Sequence, residues 1–162
     1  MVKISNKTVT CGIYLYCVPS KKILACHATH AGWKQWSIPK GLQEKNEPSW
    51  QTATRELQEE TGLIIGNLKV VHVFKLPAVK YQKQNKILES FLVVVDDDLQ
   101  NFPFHCDMRN ENSIPEVNTW KWITLHQANS WLHESQSKNL KLIKKIISEC
   151  YAGVDNTETQ YK

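Results

Sequence analysis

At 162 residues with 41% hydrophobic content, the chain has room for one domain with a real core and is too short for two. Its net charge of +4 agrees with a polyphosphate or nucleic-acid substrate, although charge balance speaks to attraction rather than identity. The absence of an apolar N-terminal run or a long apolar span predicts neither a signal peptide nor a membrane helix. Five scattered cysteines, Cys11, Cys17, Cys26, Cys106 and Cys150, make a reducing, cytoplasmic compartment the expected one.

In chain order, a strand is expected at about Cys11 to Val18, then a turn through Pro19-Ser20-Lys21-Lys22 and a partner strand at about Ile23 to Ala28, which makes a hairpin. Cys26, His27 and His30 could suggest zinc, but they lack a second ligand pair, and a core cysteine with surface histidines is the better account. A short strand follows at Trp36 to Ile38. A helix is expected from Ser49 to Thr61, with Pro48 before it, Ser49 capping its first amides and Gly62 ending it in the left-handed region. Further strands are expected at Leu68 to Leu76, at Ile87 to Val95, where the β-branched run marks a central strand, and at Trp120 to Thr124. Leu140, Ile143, Ile146 and Ile147 recur at helical spacing within a closing helix, Ser137 to Cys150. The fold class is therefore α/β, a mixed sheet between helices. Residues 1–150 are expected to form the single domain and 151–162 a polar, flexible tail.

The helix after Pro48 carries the chemistry. Taking Glu56 as zero, Glu59 falls at about −60° and Glu60 at about +40°, so the three carboxylates share a face roughly 100° wide. Trp50, Ala53 and Leu57 form an apolar stripe beside them. Each pair of carboxylates at about 6 Å costs on the order of 3 kcal/mol at an effective dielectric near 20, less where water screens it. A hard divalent cation would offset that cost, and Mg²⁺ is usually held by a few carboxylates together with substrate phosphates. Taken alone, the same glutamates also fit a solvated acidic face.

The wider pattern separates these readings. Gly41, Glu47, Arg55, Glu56, Leu57, Glu59, Glu60, Gly62 and Leu63 are spaced so that the segment resembles the Nudix box without a mismatch, nine fixed positions in a span of twenty-three. Trp36-Ser37-Ile38-Pro39-Lys40-Gly41 also resembles the strand and turn that lead into the box. The resemblance implies a Nudix α/β/α sandwich over roughly residues 8 to 150. It implies Mg²⁺, or Mn²⁺, held by Glu56, Glu59 and Glu60 with the backbone carbonyl of Lys40. It further implies that Arg55 pairs with Glu47 to orient the loop, that Gly41 lets the backbone turn and approach the metal, and that Gly62 closes the helix. The reaction implied is attack of a metal-activated water on one phosphorus of a nucleoside diphosphate linked to another group X.

Ile114 to Trp122 resembles a stretch of small Nudix hydrolases that cleave dinucleoside polyphosphates, which makes Glu116 a candidate metal ligand or base. Asp96-Asp97-Asp98, better read as a solvated turn, and Glu111 compete for that role. Lys80, Lys83 and Lys86 cluster between two strands and could grip distal phosphates, with a solvated turn as the alternative. Tyr81, eighteen residues past Leu63, resembles the tyrosine that stacks on a base in diadenosine polyphosphate hydrolases, while Pro77 keeps an ADP-ribose pyrophosphatase open. The expected substrate is a dinucleoside polyphosphate such as diadenosine tetraphosphate. The alternatives are an RNA 5′-triphosphate end, an oxidised nucleoside triphosphate, and a catalytically inactive module that senses a nucleotide. No membrane partner is expected.

Overall fold

The computed structural model describes residues 7–30 and 35–151. The tail expected after the closing helix falls, from residue 152 on, outside the described residues. Two long strands make the centre: β1 (Thr8–Cys17) runs parallel to β7 (Lys86–Val95) along its whole length, from Thr8 opposite Lys86 to Cys17 opposite Val95. Their side chains alternate between two buried faces. Cys11, Ile13, Leu15, Phe91, Val93 and Val95 face one apolar cluster, and Tyr14, Tyr16, Leu92 and Val94 face the other. Burial on both faces is why these segments read as continuous apolar runs rather than alternating ones.

The other edge of β1 is shared. β4 (Lys40–Leu42) pairs with its first half and β2 (Lys22–Ala28) with its last two residues, as the hairpin requires. β2 then leaves β1 to pair with β3 (Trp36–Ser37) on one side and β8 (Val117–Thr124) on the other. β7 carries β5 (Val70–Lys75) and β6 (Val79–Lys80) on its far side. The mixed sheet lies between helices, as expected. α1 (Ser49–Thr61) covers one face through Ala53 and Leu57, both fully buried, while the T-shaped contact of Trp50 with Phe91 extends the seal. α2 (Leu125–Trp131) and α4 (Leu140–Tyr151) cover the other face through Ala128, Leu140, Ile143 and Ile147.

The helix ends bear out one expectation and correct another. Gly62 adopts φ +82° and its N–H bonds to the Gln58 carbonyl at 2.8 Å, the left-handed C-cap that glycine adopts freely. Ser49 does not cap α1: Pro48 is the N-cap and no side chain bonds there. Three short strands or helices were not legible. β4 and β6 are too short to show a period, and α3 (Glu134–Ser137) is a single turn. α2 could have been found, because Thr124 and Gln127 form a capping box at its start. The three-aspartate run is the surface turn anticipated for it, with Asp96 exposed and paired to Lys69 at 3.3 Å.

Candidate active site

α1 presents its acidic face to β4, because the same helix buries Ala53 and Leu57 against β1 and β7. Glu56 lies directly over Gly41. A Cβ on Gly41 would stand 2.0 Å from the Glu56 carboxyl carbon, so only glycine leaves room for the carboxylate. The expected turn at Gly41 is not the reason for the residue; it sits in strand β4 opposite Cys11 without positive φ. Gly41→Ala is accordingly expected to displace Glu56 and lower turnover by about 10-fold or more, which steady-state kinetics beside a thermal melt would measure. An unchanged rate in a folded variant would contradict this packing role.

Arg55 is the hub of the acidic face. Its Nε and Nη2 bond to the two oxygens of Glu47 at 2.8 and 2.9 Å, the bidentate arrangement that suits guanidinium and carboxylate. Its Nη1 reaches Glu56 at 3.0 Å and Glu59 at 3.1 Å, and Nη2 also donates to the Leu42 carbonyl. The pairing of Arg55 with Glu47 is thus present, and Arg55 additionally holds two of the box glutamates. Thr52 donates from its hydroxyl to Glu47 at 2.5 Å and fixes the same carboxylate from the helix side. The Arg55 bond holds the Glu47 carboxyl down at about 2, and Arg55 is itself raised, chiefly by that bond.

Glu60 points to the other side, where its Oε2 accepts the Lys40 backbone amide at 3.1 Å. Desolvation pushes its carboxyl up to about 8, opposed by the Lys40 charge and reinforced by Glu56 and Glu116. Burial and then the Glu59 charge raise Glu56 as well, and Glu116 adds to that rise. Glu116 itself is exposed. Its backbone is pinned by an N–H to the Met108 carbonyl at 3.0 Å and a carbonyl accepting from Thr29 at 2.9 Å, and its charge acts on Glu56 and Glu60. Glu111 sits apart in an exposed turn. Among the described residues no three acidic, histidine or cysteine side chains already converge on one point. Even so, the donor set suits a hard divalent cation: when ionised, the four carboxylates of Glu47, Glu56, Glu59 and Glu60 carry more negative charge than Arg55 and Lys40 offset, and Mg²⁺ keeps waters and takes phosphate oxygens as its remaining ligands.

The end of α1 is tied down by groups that no sequence period announces. His105 N–H bonds to the Thr61 carbonyl at 3.2 Å, Asp107 N–H to Glu59 at 2.8 Å, and the Trp120 indole N–H to Glu60 at 2.8 Å. These donors satisfy the carbonyls that a helix end leaves open, directly beneath the acidic side chains. Cys26 lies in a small buried cluster with Cys106 and Val117 behind this end, while His27 and His30 contact Asn118 and Asn110.

Of the three lysines, Lys80 and Lys83 are exposed and Lys86 alone turns inward. Lys86 Nζ stands 5.0 Å over the Tyr81 ring, and burial, then the Lys40 charge, lowers its pKa. Tyr81 also stacks on His133 at 5.6 Å and 30°. His133 lies fifty-two residues further along the chain, and nothing in the sequence links the two.

The α/β/α sandwich with a glycine-flanked acidic helix over its central strands defines the class of the protein. The chain belongs to the Nudix family: the NUDIX domain description matches residues 7–145. It is 27% identical over 126 residues to the mRNA-decapping protein g5R of African swine fever virus, covering 76% of this chain and 51% of that protein. It is 35% identical over 71 residues to the asymmetrical bis(5′-nucleosyl)-tetraphosphatase of Sus scrofa, covering 43% of this chain and 48% of the relative. The chain thus spans about half the length of these curated relatives. A C. elegans Ap4A hydrolase binary complex shares the fold with a TM-score of 0.67 at 19% identity, covering 86% of this chain and 98% of the other. Among the described residues no helix is long and apolar enough to cross a membrane.

Proposed function

We propose that the chain is a hydrolase that breaks a phosphoanhydride bond in a nucleoside diphosphate linked to a further group, with a dinucleoside polyphosphate as its expected small substrate. The observation that carries this reading is a continuous run of groups: the Tyr81 ring, Lys86 over that ring, Lys40 in electrostatic reach of Lys86, and Glu60 bonded to the Lys40 amide. A base-stacking ring, two cations and an acidic helix follow each other in the order that a base, its phosphates and a metal would need. Similarity to a tetraphosphatase and to a decapping protein supports the reaction class and leaves the X group to be decided by experiment.

In this reading Glu56, Glu59 and Glu60, with the Lys40 carbonyl, hold Mg²⁺ or Mn²⁺. When bound, the ion supplies neutralising charge for the phosphates and lowers the pKa of a water. Arg55 and Glu47 keep the helix in register with the β4 loop. Tyr81 stacks on one base, and Lys40 and Lys86 grip phosphates, with Lys80 and Lys83 available to a longer chain. Glu116 takes the proton from the attacking water, a role that suits an exposed carboxylate whose charge reaches both Glu56 and Glu60.

The test is hydrolysis with Mg²⁺ on diadenosine tetraphosphate, ADP-ribose, oxidised dGTP and triphosphate-ended RNA, with products resolved by chromatography. Cleavage of the dinucleotide to ATP and AMP is the expected result. Nucleotide binding without turnover under Mg²⁺ or Mn²⁺ from about pH 6 to 9 would instead establish a sensing module and sink the enzyme reading. Glu116→Gln is expected to lower kcat more than about 10-fold; a change under about two-fold would return the base to the box.

A further inference from the structure

Beyond the acidic helix, the surface carries aromatic rings and a lysine that the hydrolytic reading does not use and that lead toward Tyr81. Trp36 of β3 and Trp131 at the end of α2 meet at 5.7 Å and 38°, and His27 joins Trp36 from the neighbouring strand at 5.2 Å. The ammonium of Lys121 lies 5.6 Å from the Trp36 ring and 5.4 Å from the Trp131 ring. Lys121 is exposed, so the ring faces beneath it look outward and are covered by a flexible solvated side chain rather than by core. From the end of α2 the chain leads on toward Tyr81. Leu132 bridges the Trp36 backbone in extended conformation, which sets His133 about 7 Å from Trp131 along the chain. His133 stacks on Tyr81, under Lys86.

Two tryptophans and a histidine at half-buried or exposed positions, interleaved with lysine, match the kind of surface on which successive bases stack while cations track the backbone in single-strand binders. A protein partner would be expected to seal apolar side chains against its own, and here the outward apolar area is aromatic and capped by charge. None of the residues of the band is acidic; Glu134 borders it at the start of α3. We propose that this band binds single-stranded RNA, the chain running over Trp131 and Trp36 beneath Lys121 and away from a 5′ end held at Tyr81. The direction of the chain, and hence the identification of X as RNA, rests on the proposed hydrolase site; the binding itself does not.

The experiment is fluorescence anisotropy with a 3′-labelled, 5′-hydroxyl single-stranded RNA of about twelve nucleotides, in EDTA, over a series of salt concentrations. This probe has no phosphoanhydride to cleave, so binding is read apart from turnover. Wild type is expected to bind with a salt dependence of several phosphates. Lys121→Glu is expected to weaken binding at least about five-fold and to reduce the log–log salt slope by about 0.7 or more, the share of one phosphate on a single strand. Trp131→Ala is expected to weaken it about five- to hundred-fold with little change in slope, the signature of a lost stack. Because Trp131 also touches the core, a melt accompanies that variant, and the exposed Lys121 keeps the test decisive if it fails to fold. Wild-type affinity in Lys121→Glu, no binding by wild type at low salt, or tighter binding of a duplex of the same length overturns the proposal. RNA binding by a protein that hydrolyses nothing would overturn the hydrolase reading and leave the band standing; hydrolysis of the dinucleotide without RNA binding would do the reverse.

Discussion

Glu60→Gln is expected to lower kcat by about 10² or more while the protein stays folded, and Glu59→Gln to do the same, because charge at the metal and at the phosphates is the largest contribution such a site makes. Glutamine keeps the size of the side chain and an oxygen for the Lys40 amide, so the loss is one of charge alone. Near wild-type turnover in either variant would refute the metal assignment. The same residue makes a second, independent readout in metal-free protein. Its carboxyl rises from the ordinary 4.5 to about 8 on folding, mainly through desolvation, so the charged form is disfavoured in the folded state. A raised carboxylate carries no penalty below the unfolded value and its full penalty above the folded one. Stability is therefore lost as pH climbs from about 4.5 to about 8. Thermal melts in EDTA at pH 5.5 and 8.5 are expected to show that fall, Mg²⁺ to reverse it at the higher pH, and Glu60→Gln to flatten it. Glu47 acts in another window: its carboxyl is held at about 2, so its contribution is present above 4.5 and lost as pH falls toward 2.

Arg55→Ala is expected to be the most destabilising single change on the acidic face, by about 3 kcal/mol, or about 6 to 12 °C in melting temperature for a domain of this size. The guanidinium touches Glu47, Glu56, Glu59 and the Leu42 carbonyl, and its removal leaves carboxylates that are partly buried and mutually repulsive. Arg55→Lys is expected to rescue little, because an ammonium cannot hold the two Glu47 oxygens and reach Glu56 and Glu59 at once. Mg²⁺ is expected to narrow the gap to wild type, since a cation on the box replaces part of the lost charge. Differential scanning calorimetry with and without Mg²⁺ measures both effects; an Arg55→Ala melt within about 1 °C of wild type would show that the network contributes nothing.

The acidic helix was legible because its determinants are local. Ser49 to Thr61 contains no breaker, Gly62 follows it, and Ala53 and Leu57 repeat at a spacing that can only face inward. The spacing of Glu56, Glu59 and Glu60 set their common face in advance, and the pairing of Glu47 with Arg55 followed from the family pattern. The central strand at Lys86–Val95 was equally visible, since a strand buried on both faces has no need to alternate.

What escaped the sequence was everything decided by elements far apart in it. β4 is three residues long and exists because β1 leaves half an edge open to it. Which of three similar lysines turns inward was settled by the start of β7, which carries Lys86 over Tyr81 and leaves Lys80 and Lys83 in solvent. The indole of Trp120 under Glu60, the reach of Glu116 to the box, and the meeting of Trp36 with Trp131 each join residues whose separation no period encodes. By itself the sequence determined the family, the fold class and the acidic face, because helix period, glycine conformation and carboxylate spacing act within a few turns of chain. The tertiary structure decided which charges are desolvated, which carboxylates Arg55 holds and which rings share a surface, because dielectric and contact depend on what the rest of the chain packs around them.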